Sequence, residues 1–366
     1  MTAAKPRVHV VYEHGADGHP FGSAHVRLLR PLSHPAVAPD LEVTFDADYG
    51  GERVDAVVLD RLWRPDVDAA HVERLATAAH GVGARLIHAV DDNFPDLLAE
   101  RPEWATSGQA EALEALLTSA DGMLVTTEPL ARRLRSGQPN IQVVPNVLDE
   151  RLLGTGRWRR EARLRLPIRR GPVVIGYMGT YTHDDDLRMI APALRAVHRR
   201  FGEKVLFEFL GVVGRAETYE ALHGIPIRVV HPEPEQSVYP AFLPWFVNVF
   251  KWDIALSPLR DTDFNSCKSD IKFLDYAALG AAGVYSRVPA YEATVRHGVT
   301  GVLAGEDLAE WESAIASLVE DRGARRRIAR NASEYLFGQR TVARAAGRWG
   351  EALRALLRPG AGRARG

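Results

Sequence analysis

The stretch NSCKSDIKFLDYAALG, residues 265–280, sets Lys268, Ser269, Lys272 and Asp275 close together. The chain has only five lysines (Lys5, Lys204, Lys251, Lys268, Lys272), although Lys and Arg together number 46. Where a surface cation suffices this chain uses Arg, so two lysines one helical turn apart ask for a reason. Ser269 suits a helix N-cap and Asp270 the first turn. At about 100° per residue, Lys268, Lys272 and Asp275 fall near 0°, 40° and −20° on one helical face. Ile271, Leu274 and Ala278 fall on another, toward a core. A cationic face at a helix N-terminus suits a phosphate, because backbone N–H groups, the helix dipole and a compact ammonium all favour the anion. Asp275, a turn further in, suits ribose hydroxyls. The competing reading is a solvated face with an i, i+3 Lys–Asp pair. The small run AALGAAG, 277–283, permits close backbone approach, with Gly280 as the helix stop.

Three further stretches carry polar side chains at strand exits. In GYMGTYTHDDD, 176–186, a strand ends at Gly179, and Thr180, Thr182 and His183 stand where open α/β sheets take ligands. Asp184 to Asp186 are expected to cap the following helix rather than hold a metal. EHGADGHPFGSAHVRLLRPL, 13–32, is Gly-rich, carries His14, His19 and His25, and enters a helix near Ser23. It reads as a cleft loop or a plain surface loop. HAVDDNF, 88–94, puts Asp91 and Asp92 just past a strand, fit to bind an acceptor hydroxyl, cap a helix or act in acid–base chemistry. D-x-D pairs recur at Asp46/Asp48, Asp66/Asp68, Asp184/Asp186 and Asp261/Asp263, so none is assigned a metal. G-x-G-x-x-G, Walker A, H-E-x-x-H and G-x-S-x-G are all absent, which removes the main supports of dehydrogenase, P-loop, zincin and serine-hydrolase readings.

The elements that would position these groups come in two series. Short β-branched runs at 7–13, 41–45, 55–60, 84–90, 122–127 and 141–145 read as strands, with helical patterns such as 66–80 and 107–119 between them. Residues 150–171 are Arg-rich without a strand and read as the inter-domain connection. A second series follows at 172–179, 205–211, 227–231, 253–258, 282–286 and 301–305, with helices near 185–200, 269–281 and 307–319. A helical pattern at 341–357 precedes a tail expected to be disordered. Buried strands alternating with helices argue for parallel, doubly wound sheets. The expected architecture is α/β, with two facing Rossmann-like domains at 1–150 and 172–340 and a C-terminal segment 341–366.

Composition excludes several classes. Hydrophobic content of 46% and charged content of 25% fit an ordinary soluble chain, and a net charge of −1 gives no reason to expect nucleic acid. A single cysteine, Cys267, forbids an intrachain disulfide and fits a reducing compartment. The N-terminal stretch lacks the apolar core of a signal peptide, and no apolar run approaches the roughly 20 residues that span a bilayer. The expected location is cytoplasmic. The basic segment RGARRRIAR, 322–330, leaves peripheral attachment at the inner membrane face as an option, with a solvated Arg-rich helix as the simpler reading.

DIALSPLRDTDFNSCKSDIKFLDYAALGAAGVYSRVPAYEATVRHGVTGVLAGE resembles the C-terminal domain of group 1 (family 4-like) retaining GT-B glycosyltransferases in the order of its features. These are Asp275 opening a small-residue helix, Gly280, Ser286, then Glu292, Gly298 and Gly301. VVPNVLDE, 143–150, resembles the passage that closes the family's first domain, with Asn146 matching, and VVIGYMGTYTHDDDL resembles its next strand and loop. The likeness covers most of 120–340. The chain departs from the family in two places. Of the usual glutamate pair, the first position holds Cys267 and the second Asp275. The Arg and Lys that follow the strand at 173–179 are replaced by Thr180 to His183.

The resemblance implies a GT-B fold and a hexosyltransferase-type enzyme. A sugar passes from a nucleotide diphosphate donor to an acceptor hydroxyl with retention, in synthesis of a bacterial-type glycan or glycosylated natural product. Lys268 and Lys272 would supply the missing diphosphate charge and Asp275 the ribose contact. Gly179, Thr180, His183 and Ser269 complete the donor set. Asp92 and His25 join the two lysines as catalytic candidates. No cofactor or metal is required on this reading. Partners are the nucleotide-sugar and a hydroxyl-bearing acceptor (glycan, lipid-linked glycan or small natural product). The acceptor would bind the first domain near 13–25 and 88–94, and the C-terminal helix would return to brace that domain. The alternatives are a nucleotide-sugar epimerase of the same fold and a non-catalytic nucleotide- or sugar-binding protein.

Overall fold

The computed structural model describes residues 4–100, 107–154, 171–211 and 214–358. The chain forms two compact units. Unit 1 holds the residues up to Asp149, Cys267–Ser269 and the chain from Val342 onward; unit 2 holds Glu150–Ser266 and Asp270–Thr341.

Unit 1 is built on six parallel strands: β1 (Arg7–Val11), β2 (Glu42–Asp46), β3 (Ala56–Asp60), β4 (Arg85–Val90), β5 (Gly122–Val125) and β6 (Ile141–Val143). Their order is β2-β1-β3-β4-β5-β6. The AVVLD run of β3 is buried throughout, as a strand covered on both faces must be. Side chains alternate between two cores. Val57, Leu59 and Leu86 pack with Val72 and Leu75 of the helix Ala69–Gly81 and Leu113 and Leu116 of the helix Ser107–Ser119. Val8, Val10, Val58, Ile87 and Leu124 pack on the other face with Leu28, Leu32 and the helix Val342–Leu357. That last helix contributes Val342, Ala345, Trp349, Leu353 and Leu356, an i, i+3, i+4 stripe. Trp349 Nε1 also donates to the Arg27 carbonyl at 3.3 Å. Full burial of each leucine stabilises the unit by roughly 1.5–3 kcal/mol. The C-terminal helix is thus part of unit 1's core.

Unit 2 carries β7 (Val173–Gly179), β8 (Val205–Gly211), β9 (Ile227–Val230), β10 (Ile254–Ser257), β11 (Ala282–Ser286) and β12 (Val302–Ala304). They are parallel in the order β12-β11-β10-β7-β8-β9, so the chain reverses direction across the sheet between β7 and β10. This is the Rossmann-type order, in which ligands gather outside the carboxyl ends at the reversal. The helix Asp184–Phe201 buries Leu187, Ile190, Ala191, Leu194 and Val197 against the sheet. Gly176 is required by packing, since a Cβ there would lie 1.8 Å from the Trp252 ring.

Both sheets place their strands within a residue or two of the sequence boundaries. Other expectations are corrected. The helix around Lys272 runs Ile271–Leu279 with Asp270 as N-cap, so Ser269 is not its cap and Lys268 lies outside it. Gly280 does end the helix, in the left-handed conformation at φ 80°. The basic run at 322–330 opens the helix Arg322–Gln339, but Arg325 is buried rather than solvated. Its guanidinium donates to the carbonyls of Leu318 and Val319 and so satisfies the end of the preceding helix. Of the expected connection, Glu150–Leu153 forms a short helix, and 155–170 lie outside the described residues, as do 359–366 of the tail. Among the described residues no helix is long and apolar enough to cross a membrane.

Candidate functional site

Chemistry collects at the carboxyl edge of each sheet. In unit 2, β7 ends at Gly179 beside Gly211 of β8, so closely that a Cβ on Gly211 would lie 2.0 Å from the Gly179 carbonyl oxygen. Thr180 Oγ1 and Thr182 Oγ1 share a hydrogen bond of 2.7 Å. His183 is the N-cap residue of the helix Asp184–Phe201, and its Nδ1 lies 2.8 Å from Asp186 Oδ2. The three aspartates do not cap that helix. Asp184 Oδ2 accepts from the Gly214 and Arg215 amides at 2.9 and 2.8 Å and from Thr218 Oγ1 at 3.2 Å. Asp185 pairs with Arg188 and, at 3.1 and 3.5 Å, with Arg215 and Arg260. Asp186 accepts from the Arg260 amide at 2.9 Å. Burial alone would raise the Asp186 carboxyl, but His183, the Arg260 amide and Lys272 together hold it below its ordinary value. These carboxylates tie the loops after β8 and β10 to the end of β7.

Lys272 stands over the Tyr177 ring, its Nζ 5.6 Å from the centroid. Asp275, one turn on, is buried, and its Oδ1 makes no hydrogen bond. Desolvation pushes its carboxyl up to about 7, although Lys272 pulls the other way. Lysine, tyrosine face and desolvated carboxyl therefore form one group beside the β7/β10 reversal.

In unit 1 the corresponding edge lies beyond β1, β3 and β4. Arg61 follows β3 and has φ 48°, the only left-handed non-glycine among the described residues. That backbone costs roughly 1–3 kcal/mol, and such strain is typically stored where function fixes a side chain. The surroundings hold it: Arg61 N donates to the Ala89 carbonyl at 2.9 Å, and its own carbonyl accepts from His88 Nε2 at 2.9 Å. Burial pushes the His88 imidazole down to about 4, so it is neutral. The Arg61 guanidinium lies 3.3 Å from Glu13, 3.6 Å from Asp91 and 3.5 Å from Asp92, and over the Phe94 ring at 4.9 Å. Arg27 reaches Asp91 at 3.9 Å, and Lys268 reaches Asp92 at 3.6 Å. Desolvation would raise Asp92, but Lys268 and Arg61 overcome it and keep the carboxyl below its ordinary value. Glu13 and Asp60 are pushed up by burial to about 7 and about 6. A cavity of about 320 Å³ opens here, lined by Glu13, Arg61, Phe21, Phe94 and neighbouring leucines.

The sequence-derived residues thus divide between the two edges. Gly179, Thr180, His183, Lys272 and Asp275 fall in unit 2. Lys268, Ser269, Asp92 and His25 fall in unit 1, so the expected common face of Lys268, Lys272 and Asp275 does not exist. Ser269 Oγ accepts from Asn146 Nδ2 at 2.9 Å, and Cys267 is buried with its carbonyl taking Thr127 Oγ1 at 2.8 Å. His25 begins a π-helical stretch, His25–Leu29, and burial with nearby Arg30 keeps its imidazole below the ordinary value.

Neither a protein-family model nor a curated protein sequence matches the chain. Solved structures do. HepE from Anabaena, crystallised with UDP and glucose, superposes with TM-score 0.63 at 12% identity, covering 96% of this chain and 100% of that one. WaaG, a glycosyltransferase involved in lipopolysaccharide biosynthesis, gives 0.62 at 12% identity over 94% and 98%. Sucrose-phosphate synthase from Thermosynechococcus elongatus gives 0.62 at 14% identity over 96% and 99%.

The chain has the GT-B fold.

Within the GT-B fold, sequence reasoning related Lys272 to Asp275 along one helix and singled out the loop after β7, but it misplaced Lys268 and missed Glu13, Asp60, Arg61 and Arg260 as parts of polar clusters. Nothing in DRLWRP, 60–65, signals a left-handed arginine. A buried carboxylate and an arginine at adjacent positions on a strand exit were the available hint.

Proposed function

We propose that the chain is a glycosyltransferase that moves a sugar from a nucleotide diphosphate donor to an acceptor hydroxyl with retention, as a hexosyltransferase of the family 4-like type. The observation that carries this reading is the Lys272–Tyr177–Asp275 group beside the β7/β10 reversal of a GT-B chain. Parallel sheets take ligands at such reversals. The Lys272 ammonium meets the donor diphosphate, and Asp275 accepts hydrogen bonds from the ribose. Gly179 lets the donor approach the backbone, and Thr180 and His183 offer it polar contacts.

In the reaction, the bond between the anomeric carbon and the diphosphate oxygen breaks as the acceptor oxygen bonds to the same face. The acceptor proton passes to the departing phosphate oxygen. Charge grows on the diphosphate, and a preorganised ammonium there lowers the barrier without a metal. In unit 1, Asp92, held ionised by Lys268 and Arg61, orients the acceptor hydroxyl, and His25, whose imidazole burial keeps below its ordinary value, is the second candidate there.

Calorimetry with UDP, GDP and TDP, each with and without Mg²⁺, tests the proposal. One diphosphate is expected to bind without metal, and the base identifies the donor class. Failure of all three to bind would overturn it.

A further inference from the structure

The loop after β7 carries no Lys or Arg from Thr180 to Leu187. A diphosphate at the β7/β10 reversal must draw its countercharge from other strand exits, and Lys272 sets a single ammonium against two phosphates. The exit of β10 holds a second cation, Arg260, on a backbone pinned at three points. Leu259 N donates to Ser286 Oγ at 2.8 Å, Arg260 N donates to Asp186 Oδ1 at 2.9 Å, and the Arg260 carbonyl accepts from Asn265 Nδ2 at 3.0 Å. The guanidinium is held more loosely than its backbone. It lies 3.5 Å from Asp185 Oδ2 and 3.9 Å from Asp186 Oδ1, both longer than a hydrogen bond, and its Nε makes none. The Asp185 carboxylate is shared, since Arg188 and Arg215 reach its other oxygen. The Lys272 charge also reaches Asp186, from the helix Ile271–Leu279, and helps to hold that carboxyl below its ordinary value. Two cations from two elements therefore converge on one carboxylate at the β7 exit. One of them, Arg260, combines a fixed base with a partly exposed guanidinium that charge alone retains.

We propose that Arg260 is a second diphosphate-binding residue, whose guanidinium turns from Asp185 onto the phosphate oxygens when the ligand arrives. The proposal rests on the transferase reading for the identity of that anion. Arginine suits the task, because its planar fork offers paired N–H donors to two phosphate oxygens. Asp186 keeps its bond to the Arg260 amide and so holds the loop in place while the side chain moves. Asp185 then acts as a stand-in anion that the phosphate replaces. Were the arginine only a tie between the β10 exit and the helix Asp184–Phe201, removing Asp185 would loosen the site rather than free a cation for the ligand.

The test is metal-free calorimetry of the full chain with UDP, GDP, TDP and inorganic pyrophosphate. Arg260→Gln is expected to weaken the diphosphate that wild type binds by about ten- to hundred-fold, the weight of a hydrogen bond to a charged group. Arg260→Lys should recover part of that loss, since it restores the charge without the fork. Asp185→Asn is expected to tighten binding by about three-fold, the scale of one screened surface charge. Should Arg260→Gln shift the thermal midpoint, the other two variants, which keep a cation at position 260, give the reading. Diphosphate binding that Arg260→Gln leaves unchanged, or that Asp185→Asn weakens, would overturn the inference and leave the transferase reading standing. Pyrophosphate binding that depends on Arg260, in a chain that binds no nucleoside diphosphate, would keep the anion site and remove the transferase. Binding of neither would overturn both.

Discussion

At the carboxyl edge of the first sheet, Arg61 is surrounded by Glu13, Asp91 and Asp92, and each acid has a cation in reach. At the edge of the second, Lys272 stands over an aromatic face and Asp275 has an oxygen with no hydrogen bond. Both edges come from the same geometry, parallel strands that all end on one side. The difference lies in how charge is balanced. Unit 1 gathers four acids, Glu13, Asp60, Asp91 and Asp92, around three cations, Arg27, Arg61 and Lys268, on a strained backbone, which suits a ligand that must be oriented. Unit 2 keeps a cation and a desolvated carboxyl side by side, which suits a ligand bringing both phosphates and hydroxyls.

The largest effect is expected in unit 1. Arg61→Ala leaves Glu13, Asp91 and Asp92 crowded without their central cation, and breaking such a buried set costs about 3–5 kcal/mol. Urea unfolding should show this loss. Arg61→Gly should be less damaging by about 1 kcal/mol, because glycine accepts φ 48° without strain. Alanine and glycine variants of equal stability would show that the left-handed backbone stores nothing.

A smaller effect separates the units by pH. The folded-state value of Asp275 is raised from 3.8 to about 7, so its protonated form is favoured in the fold. Its contribution to stability is fully present below about pH 3.8 and is lost as pH rises through about 7. Asp275→Asn removes that term. The variant should gain on the order of 1–3 kcal/mol relative to wild type between pH 4 and pH 8, with a flatter stability profile. Thermal unfolding across that range checks it. Asp92 in unit 1 has the opposite sign: its value is lowered, so its contribution is present above the unfolded value and fades as pH falls.

The strands were legible because buried parallel strands are uninterrupted β-branched runs, as in VVIGYMG and AVVLD. The helix Tyr239–Val249 was not, since Pro240 stands in its first turn and Pro244 inside it. The site was half legible. Lys272 and Asp275 lie on one short helix, and local spacing relates them. Lys268 could not be placed that way, because its neighbours are spent on distant partners. Ser269 takes Asn146, 123 residues away, and Asp270 makes a forked pair with Arg340, 70 residues away, at 2.8 Å for each bond. Those contacts end the helix at Ile271 and put Lys268 beside Asp92. Charge clusters assembled from three strand exits leave no local pattern, and Arg61 belongs to that kind.

The most direct test of the central claim is calorimetric titration of wild type and Lys272→Ala with the nucleoside diphosphate that binds, in the absence of metal. The account predicts a loss of about 1.5–3 kcal/mol in the variant, the usual weight of a hydrogen bond to a charged group. Equal affinity in the two proteins would contradict it.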